Sequence, residues 1–99
     1  FKAGSAFLRD VMASPDDVRR VREARTESLR IATFCAEPVS PAVQEFAQAA
    51  ICRAYVNSYW ATEHGGIVWG YMLAGPTKPL QADAHAWPLP WVFADVYKF

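Results

Sequence analysis

With 99 residues, 53% of them hydrophobic and 14% aromatic, the chain has the composition of a folded globular unit, and intrinsic disorder is excluded. Ten Lys+Arg balance ten Asp+Glu, which argues against nucleic acid as the main partner, because phosphate-backbone binding draws on a basic surplus that releases counterions. No apolar run approaches the roughly 20 residues needed to span a bilayer and no cleavable signal is visible, so no membrane partner and a cytoplasmic location are expected.

The first stretch, SAFLRDVMA, predicts a short helix, with Leu8, Val11 and Met12 at helical spacing behind Ser5. SPDDVRRVREAR predicts a second, with Ser14 as N-cap, Pro15 at the first helical position, and Asp16 and Asp17 favourable to the helix dipole. Its arginines are offset by Asp16, Asp17 and Glu23, so this face reads as solvated rather than phosphate-binding. SLRIATFC alternates and predicts a strand, with Leu29, Ile31, Thr33 and Cys35 on one side and Arg30, Ala32 and Phe34 on the other. SPAVQEFAQAAICR predicts the strongest helix, capped by Ser40 and carrying Val43, Phe46, Ala47, Ala50 and Ile51 as one apolar stripe. AYVNSYW is short and β-prone, a second strand.

Strand, helix, strand with short connections implies a βαβ unit with parallel strands and a right-handed crossover, hence an α/β fold. Ligands of such sheets bind at the carboxyl ends of the strands. Ala36-Glu37-Pro38 and the Tyr59 to Glu63 stretch are therefore expected side by side on one rim. Further on, IVWGYMLA is compatible with strand or helix, GPTKP is a predicted loop, and WVFADVY alternates as a last strand containing Asp95, to which no role is assigned. Cys35 and Cys52 fit no zinc spacing and read as buried free thiols.

Residues 1–99 are expected to form one partial domain of a longer polypeptide. The chain opens on Phe1-Lys2 and stops at Tyr97-Lys98-Phe99, and four Trp, four Tyr and six Phe are more rings than so small a unit readily hides.

The chemistry concentrates in NSYWATEHGG, residues 57–66. Tyr59 has a ring face that can stack on a purine, and Asn57 has donor and acceptor for a base edge. Thr62 can donate to a phosphate oxygen, and Glu63 is a hard oxygen ligand suited to magnesium. Gly65 and Gly66 allow close approach or an unusual turn. His64 is expected to be a hydrogen-bonded structural residue, and His85, in a Pro-rich loop, to be exposed.

The order Asn-x-Tyr-x-x-Thr-Glu in NSYWATE resembles the nucleotide-binding motif of the adenylate-forming superfamily, and Trp60 followed by Thr62-Glu63-x-Gly65-Gly66 is similar to its acetyl-CoA synthetase branch. SLRIATFCAEPVSP resembles that branch's strand ending in Gly-Glu-Pro, and GSAFLRDVM its preceding helix. The resemblance implies a βαβ-containing fragment of the large N-terminal domain of an AMP-forming short-chain acyl-CoA synthetase, with ATP, Mg2+ and CoA as cofactor or co-substrates and a small carboxylic acid as partner. By position it implies that Ala36, Glu37 and Pro38 border the adenine and that Asn57, Ser58, Tyr59, Trp60, Ala61 and Thr62 wrap the nucleotide. Thr62 lies near the α-phosphate, Glu63 is associated with magnesium, and these two carry the catalytic role. Cys35 and Trp60 line the acyl pocket. An indole fills volume that a longer tail needs, so acids of about two to four carbons are expected.

Ala36, Asn57, Ala61 and His64 stand where the branch has Gly, Asp, Gln and Thr, and QADAHAWPLPW, with Asp83, His85 and Trp87, departs from a Gly-Ser-rich turn. These changes bear on substrate choice, leaving acetate, propionate, acrylate and 3-hydroxypropionate as candidates. They also motivate two alternatives, a nucleotide-binding or structural module without catalysis and the ligase part of a fused multifunctional synthase. The family's phosphate loop, ribose-binding aspartate and catalytic lysine are not among these residues, so residues 1–99 alone are not expected to turn over.

Overall fold

In the computed structural model, residues 1–35, 37–70 and 87–98 are described. Helix α1 spans Ser5–Ala13 and buries Ser5, Leu8 and Val11. Helix α2, Pro15–Glu23, starts where the sequence predicts: the Ser14 side chain accepts from the Asp17 N–H at 3.3 Å, and proline occupies the first turn. Its arginines lie on the solvated face, where Arg19 pairs with Asp16 at 3.0 Å and Arg20 with Asp17 at 3.5 Å. Pairs this exposed contribute little to stability.

Strand β1 is Ala32–Phe34, helix α3 is Pro41–Ala50 and strand β2 is Tyr55–Ala61. The two strands pair in parallel, Ala32 with Tyr55 and Phe34 with Asn57, so the expected βαβ unit is present. Ser40 caps α3 by accepting from the Val43 N–H at 3.4 Å. Leu8, Ala32, Phe34, Val39, Val43, Ala47, Ile51, Cys52 and Tyr55 form the core beneath α1 and α3. Phe34 stacks on Tyr55 with ring centroids 5.0 Å apart. The helical stripe of α3 and the Ala32/Phe34 face of β1 meet there, which is the two-period patterning that an α/β layer requires. Gln44, beside the stripe, is buried too, and its Nε2 donates to the Tyr55 carbonyl at 2.7 Å.

Strand β3, Gly66–Gly70, runs antiparallel to β2, and β4, Trp87–Pro88, antiparallel to β3, giving the order β1-β2-β3-β4. IVWG is therefore strand, while GPTKP, Asp83 and His85 lie outside the described residues. Among the described residues, no helix is long and apolar enough to cross a membrane.

The sequence prediction fails in two places. SLRIATFC forms only a three-residue strand, because the chain before it is held in a turn by the Leu29 N–H on the Thr26 carbonyl at 2.8 Å. WVFADVY is not a strand: Ala94 N–H bonds Val92 O at 3.0 Å and Val96 N–H bonds the Asp95 side chain at 2.8 Å, so these donors are turned to local partners instead of a ladder. Alternation alone does not make a strand without a neighbour to pair with. Pro88 lies in β4, at the sheet edge, where a missing N–H is tolerated.

Tyr55 is fully buried and its hydroxyl has no hydrogen-bond partner among the described residues; burial pushes its pKa up to about 12. Tyr55→Phe removes an unpaired polar group and is expected to raise the unfolding free energy by about 1 kcal/mol in urea titrations. A raised phenol pKa means that the group's contribution is complete below its ordinary value of 10.0 and is lost as pH climbs toward about 12. The variant should lack that part of the alkaline loss.

Candidate functional site

Because β1 and β2 are parallel, the residues that follow each of them leave the sheet at the same edge. Two side-chain contacts join the carboxyl ends of the strands just before that edge. The Ser58 hydroxyl donates to the Phe34 carbonyl at 3.0 Å, and the Trp60 indole Nε1–H donates to the Cys35 sulfur at 3.4 Å. Cys35 and Trp60, expected to line one acyl pocket, therefore touch. Cys35 is half-buried and Trp60 is 41% exposed, which leaves the indole accessible from the rim. Both cysteines are free thiols; only Cys52 is buried.

Ser58, expected within the segment that wraps the nucleotide, is engaged by the neighbouring strand. It is buried, and its hydroxyl ties β2 to β1. Asn57 and Ala61 are half-buried on either side of the exposed Tyr59-Trp60 pair. Tyr59 is 54% exposed, with its ring centroid 6.0 Å from that of His64. Among the described residues the His64 imidazole makes no hydrogen bond, contrary to its expected structural role, and packs against Tyr59 instead.

Beyond β2 the chain enters a single 3-10 turn, Thr62–His64, closed by the Gly65 N–H on the Thr62 carbonyl at 3.1 Å. Gly65 has φ +71°, the left-handed region that side chains resist, so the first glycine of the pair is a conformational requirement. A Cβ built there meets nothing within 4 Å, so backbone strain, not crowding, is the reason. Thr62, Glu63 and His64 are all exposed. Among the described residues, the Thr62 hydroxyl and the Glu63 carboxylate have no hydrogen-bond or ion-pair partner.

The pairing of β2 with β3 contains a bulge at Tyr59/Trp60: Tyr59 faces Trp69, whereas Trp60 faces Ile67. The extra residue is Val68 of β3, which lies between Trp69 and Ile67 without a partner in β2. Tyr59 and Trp60 are consecutive in the unbulged strand β2, so by ordinary alternation their rings leave opposite faces of the sheet beside the turn that carries Thr62 and Glu63.

Glu37, expected to border the adenine, is held by two side chains of α1. It accepts from the Ser5 hydroxyl at 2.5 Å and from Arg9 Nη2 at 3.1 Å, while Arg9 Nη1 also reaches the Ser5 oxygen at 3.1 Å. The Ser5 hydrogen bond, then the Arg9 hydrogen bond and charge, hold its carboxyl below the ordinary 4.5. Pro38 beside it is exposed, and Ala36 lies outside the described residues. A lowered carboxyl pKa stabilises the fold above the ordinary value, and that contribution disappears as pH falls through the folded one. Ser5→Ala is therefore expected to raise the Glu37 carboxyl titration midpoint, read by carbon-13 NMR; an unchanged midpoint would show that the contact does not hold the charge.

Sequence reasoning missed Lys2, Ser5, Arg9 and Gln44. Ser5 and Arg9 have a visible signal, an i,i+4 polar pair on a helix otherwise read for its apolar side. Lys2 has none. Its ammonium stands 4.6 Å from the centre of the Trp60 ring. Away from this rim, a groove of about 400 Å3 opens among residues that precede β1 and β2, with Leu29, Gln48, Cys52 and Arg53 in its wall.

Among the described residues there is no group of three or more His, Cys, Asp or Glu that could hold a metal. A single free carboxylate such as Glu63 suits magnesium, which takes one or two carboxylates and completes its shell with substrate phosphate and water. Comparison with protein-family models and with curated proteins finds no match for this chain.

Proposed function

We propose that this rim is the nucleotide and acyl site of an AMP-forming acyl-CoA synthetase for a short carboxylic acid, completed by other parts of the same polypeptide. The observation that carries the reading is the Trp60–Cys35 contact at 3.4 Å, with unpaired Thr62 and Glu63 immediately beyond it. It joins the proposed acyl-binding pair to the proposed phosphate-binding pair on one edge of a parallel βαβ unit, the place where such sheets bind ligands. Exposed Trp91, Phe93 and Tyr97 support the further reading that neighbouring structure packs on the 91–97 segment.

The reaction follows from charge. The acid's carboxylate oxygen attacks the α-phosphorus of ATP, forming an acyl-adenylate as pyrophosphate leaves. The thiolate of CoA then attacks the acyl carbon and AMP departs. Anions are brought together in the first step, so catalysis rests on positioning and fixed charge more than on proton transfer. Tyr59 stacks on the purine, Asn57 meets its edge, and Thr62 donates to an α-phosphate oxygen. Glu63 would hold magnesium, which when bound offsets phosphate charge. Trp60 and Cys35 bound the space for the acid's tail.

The test is a panel of small carboxylates offered with ATP and CoA to the intact polypeptide. Thioester formation with acids of about two to four carbons and a fall with longer ones is expected. Nucleotide binding without any thioester would favour the binding module without catalysis.

A further inference from the structure

The backbone around Lys2 is fixed. The Ala3 N–H bonds the Thr33 carbonyl at 3.1 Å and the Thr33 N–H bonds the Phe1 carbonyl at 2.8 Å, which sets Lys2 beside Thr33 as a parallel bridge. Paired residues of neighbouring strands share a face, and positions two apart along a strand do so as well. Lys2, Thr33 and Cys35 thus lie on one face of the sheet, the face on which the Trp60 indole meets the Cys35 sulfur. The Lys2 ammonium closes the group from above, 4.6 Å from the indole centre. Among the described residues, no carboxylate pairs with Lys2.

An ammonium is a donor with no acceptor of its own, so a cation held over the indole that bounds the proposed acyl site has a chemical preference. A purely hydrocarbon tail leaves it unsatisfied, whereas a tail bearing an oxygen acceptor gains a charge-assisted hydrogen bond. Resting on the function proposed above, we infer that Lys2 determines specificity: it selects short acids whose tail carries an oxygen acceptor over those ending in a methyl group. The shared chemistry is the acceptor; whether it is a neutral hydroxyl or a second carboxylate separates in the test. The arrangement also differs from simple shielding of the indole by the lysine stem, because shielding requires no charge.

The experiment compares propionate, 3-hydroxypropionate and malonate in acid-dependent ATP–pyrophosphate exchange by the intact polypeptide, with Lys2→Met and Lys2→Arg as variants. Met keeps the stem over the ring without the charge, and Arg keeps the charge. The ratio of kcat/KM for the better oxygen-bearing acid to that for propionate is expected to fall about tenfold in Lys2→Met, the scale of one charged hydrogen bond, and to recover in Lys2→Arg. A fall greater for malonate than for 3-hydroxypropionate identifies the carboxylate as the favoured tail, and the reverse identifies the hydroxyl. Exchange with propionate and an unaltered ratio in Lys2→Met would overturn the role of Lys2 and leave the proposed function standing. Absence of exchange with every acid would overturn both.

Discussion

Glu63→Gln in the intact polypeptide is expected to lower acid-dependent pyrophosphate exchange by about two to three orders of magnitude, the range seen when one electrostatic contact to a transition state is removed. The substitution keeps the size of the side chain and its hydrogen-bonding capacity and removes only the negative charge. Glu63 is exposed, makes no ion pair among the described residues and sits within a three-residue turn capped by Gly65, so the fold has no stake in that charge. A fall in exchange together with an unchanged unfolding midpoint would locate the effect in the chemistry. Wild-type exchange in Glu63→Gln would remove the carboxylate from the reaction and with it the proposed magnesium contact.

Trp60→Gly is expected to shift the acid preference toward longer chains. The indole is anchored at its nitrogen by Cys35 and covered on one face by Lys2, so it is a fixed wall. Overpacking a tail against such a wall costs about 1–3 kcal/mol, and relieving it corresponds to a gain of roughly 5- to 150-fold in kcat/KM for acids of about five or six carbons relative to propionate. Trp60 is 41% exposed and contributes little to the core, so the variant should fold, although glycine weakens a strand interior. Unchanged chain-length preference would take Trp60 out of the acyl site.

The parts of the fold legible in the sequence are those where a local rule and the tertiary fold agree. Ser14 and Ser40 cap their helices with proline in the first turn, and the stripe Val43, Ala47 and Ile51 faces the core as its spacing predicts. Parallel pairing of β1 with β2 follows from the short connections around α3. The 91–97 segment shows the limit: its alternation is strand-like, but strand formation depends on a partner, and a neighbour is not written in a segment's own residues.

The site divides in the same way. Parallel strands predict that the residues ending β1 and β2 meet, the family resemblance alone pairs Trp60 with Cys35, 25 positions away, and their contact is present. Ser58 and Glu37 are expected at the nucleotide from the resemblance, and the fold uses both for its own hydrogen bonds, to Phe34 and to Ser5 and Arg9. A polar residue's competitors for partnership come from distant elements, which sequence spacing does not reveal. Lys2 was invisible for a related reason, since only the bridge to Thr33 carries it to the indole.

The most direct measurement is exchange of labelled pyrophosphate into ATP by the intact polypeptide, with and without a short carboxylic acid and without CoA. Exchange that appears only when acetate, propionate or a similarly small acid is added is the expected result, since it isolates acyl-adenylate formation at this rim. No acid-dependent exchange with any of them, from a folded protein that binds ATP, would contradict the account.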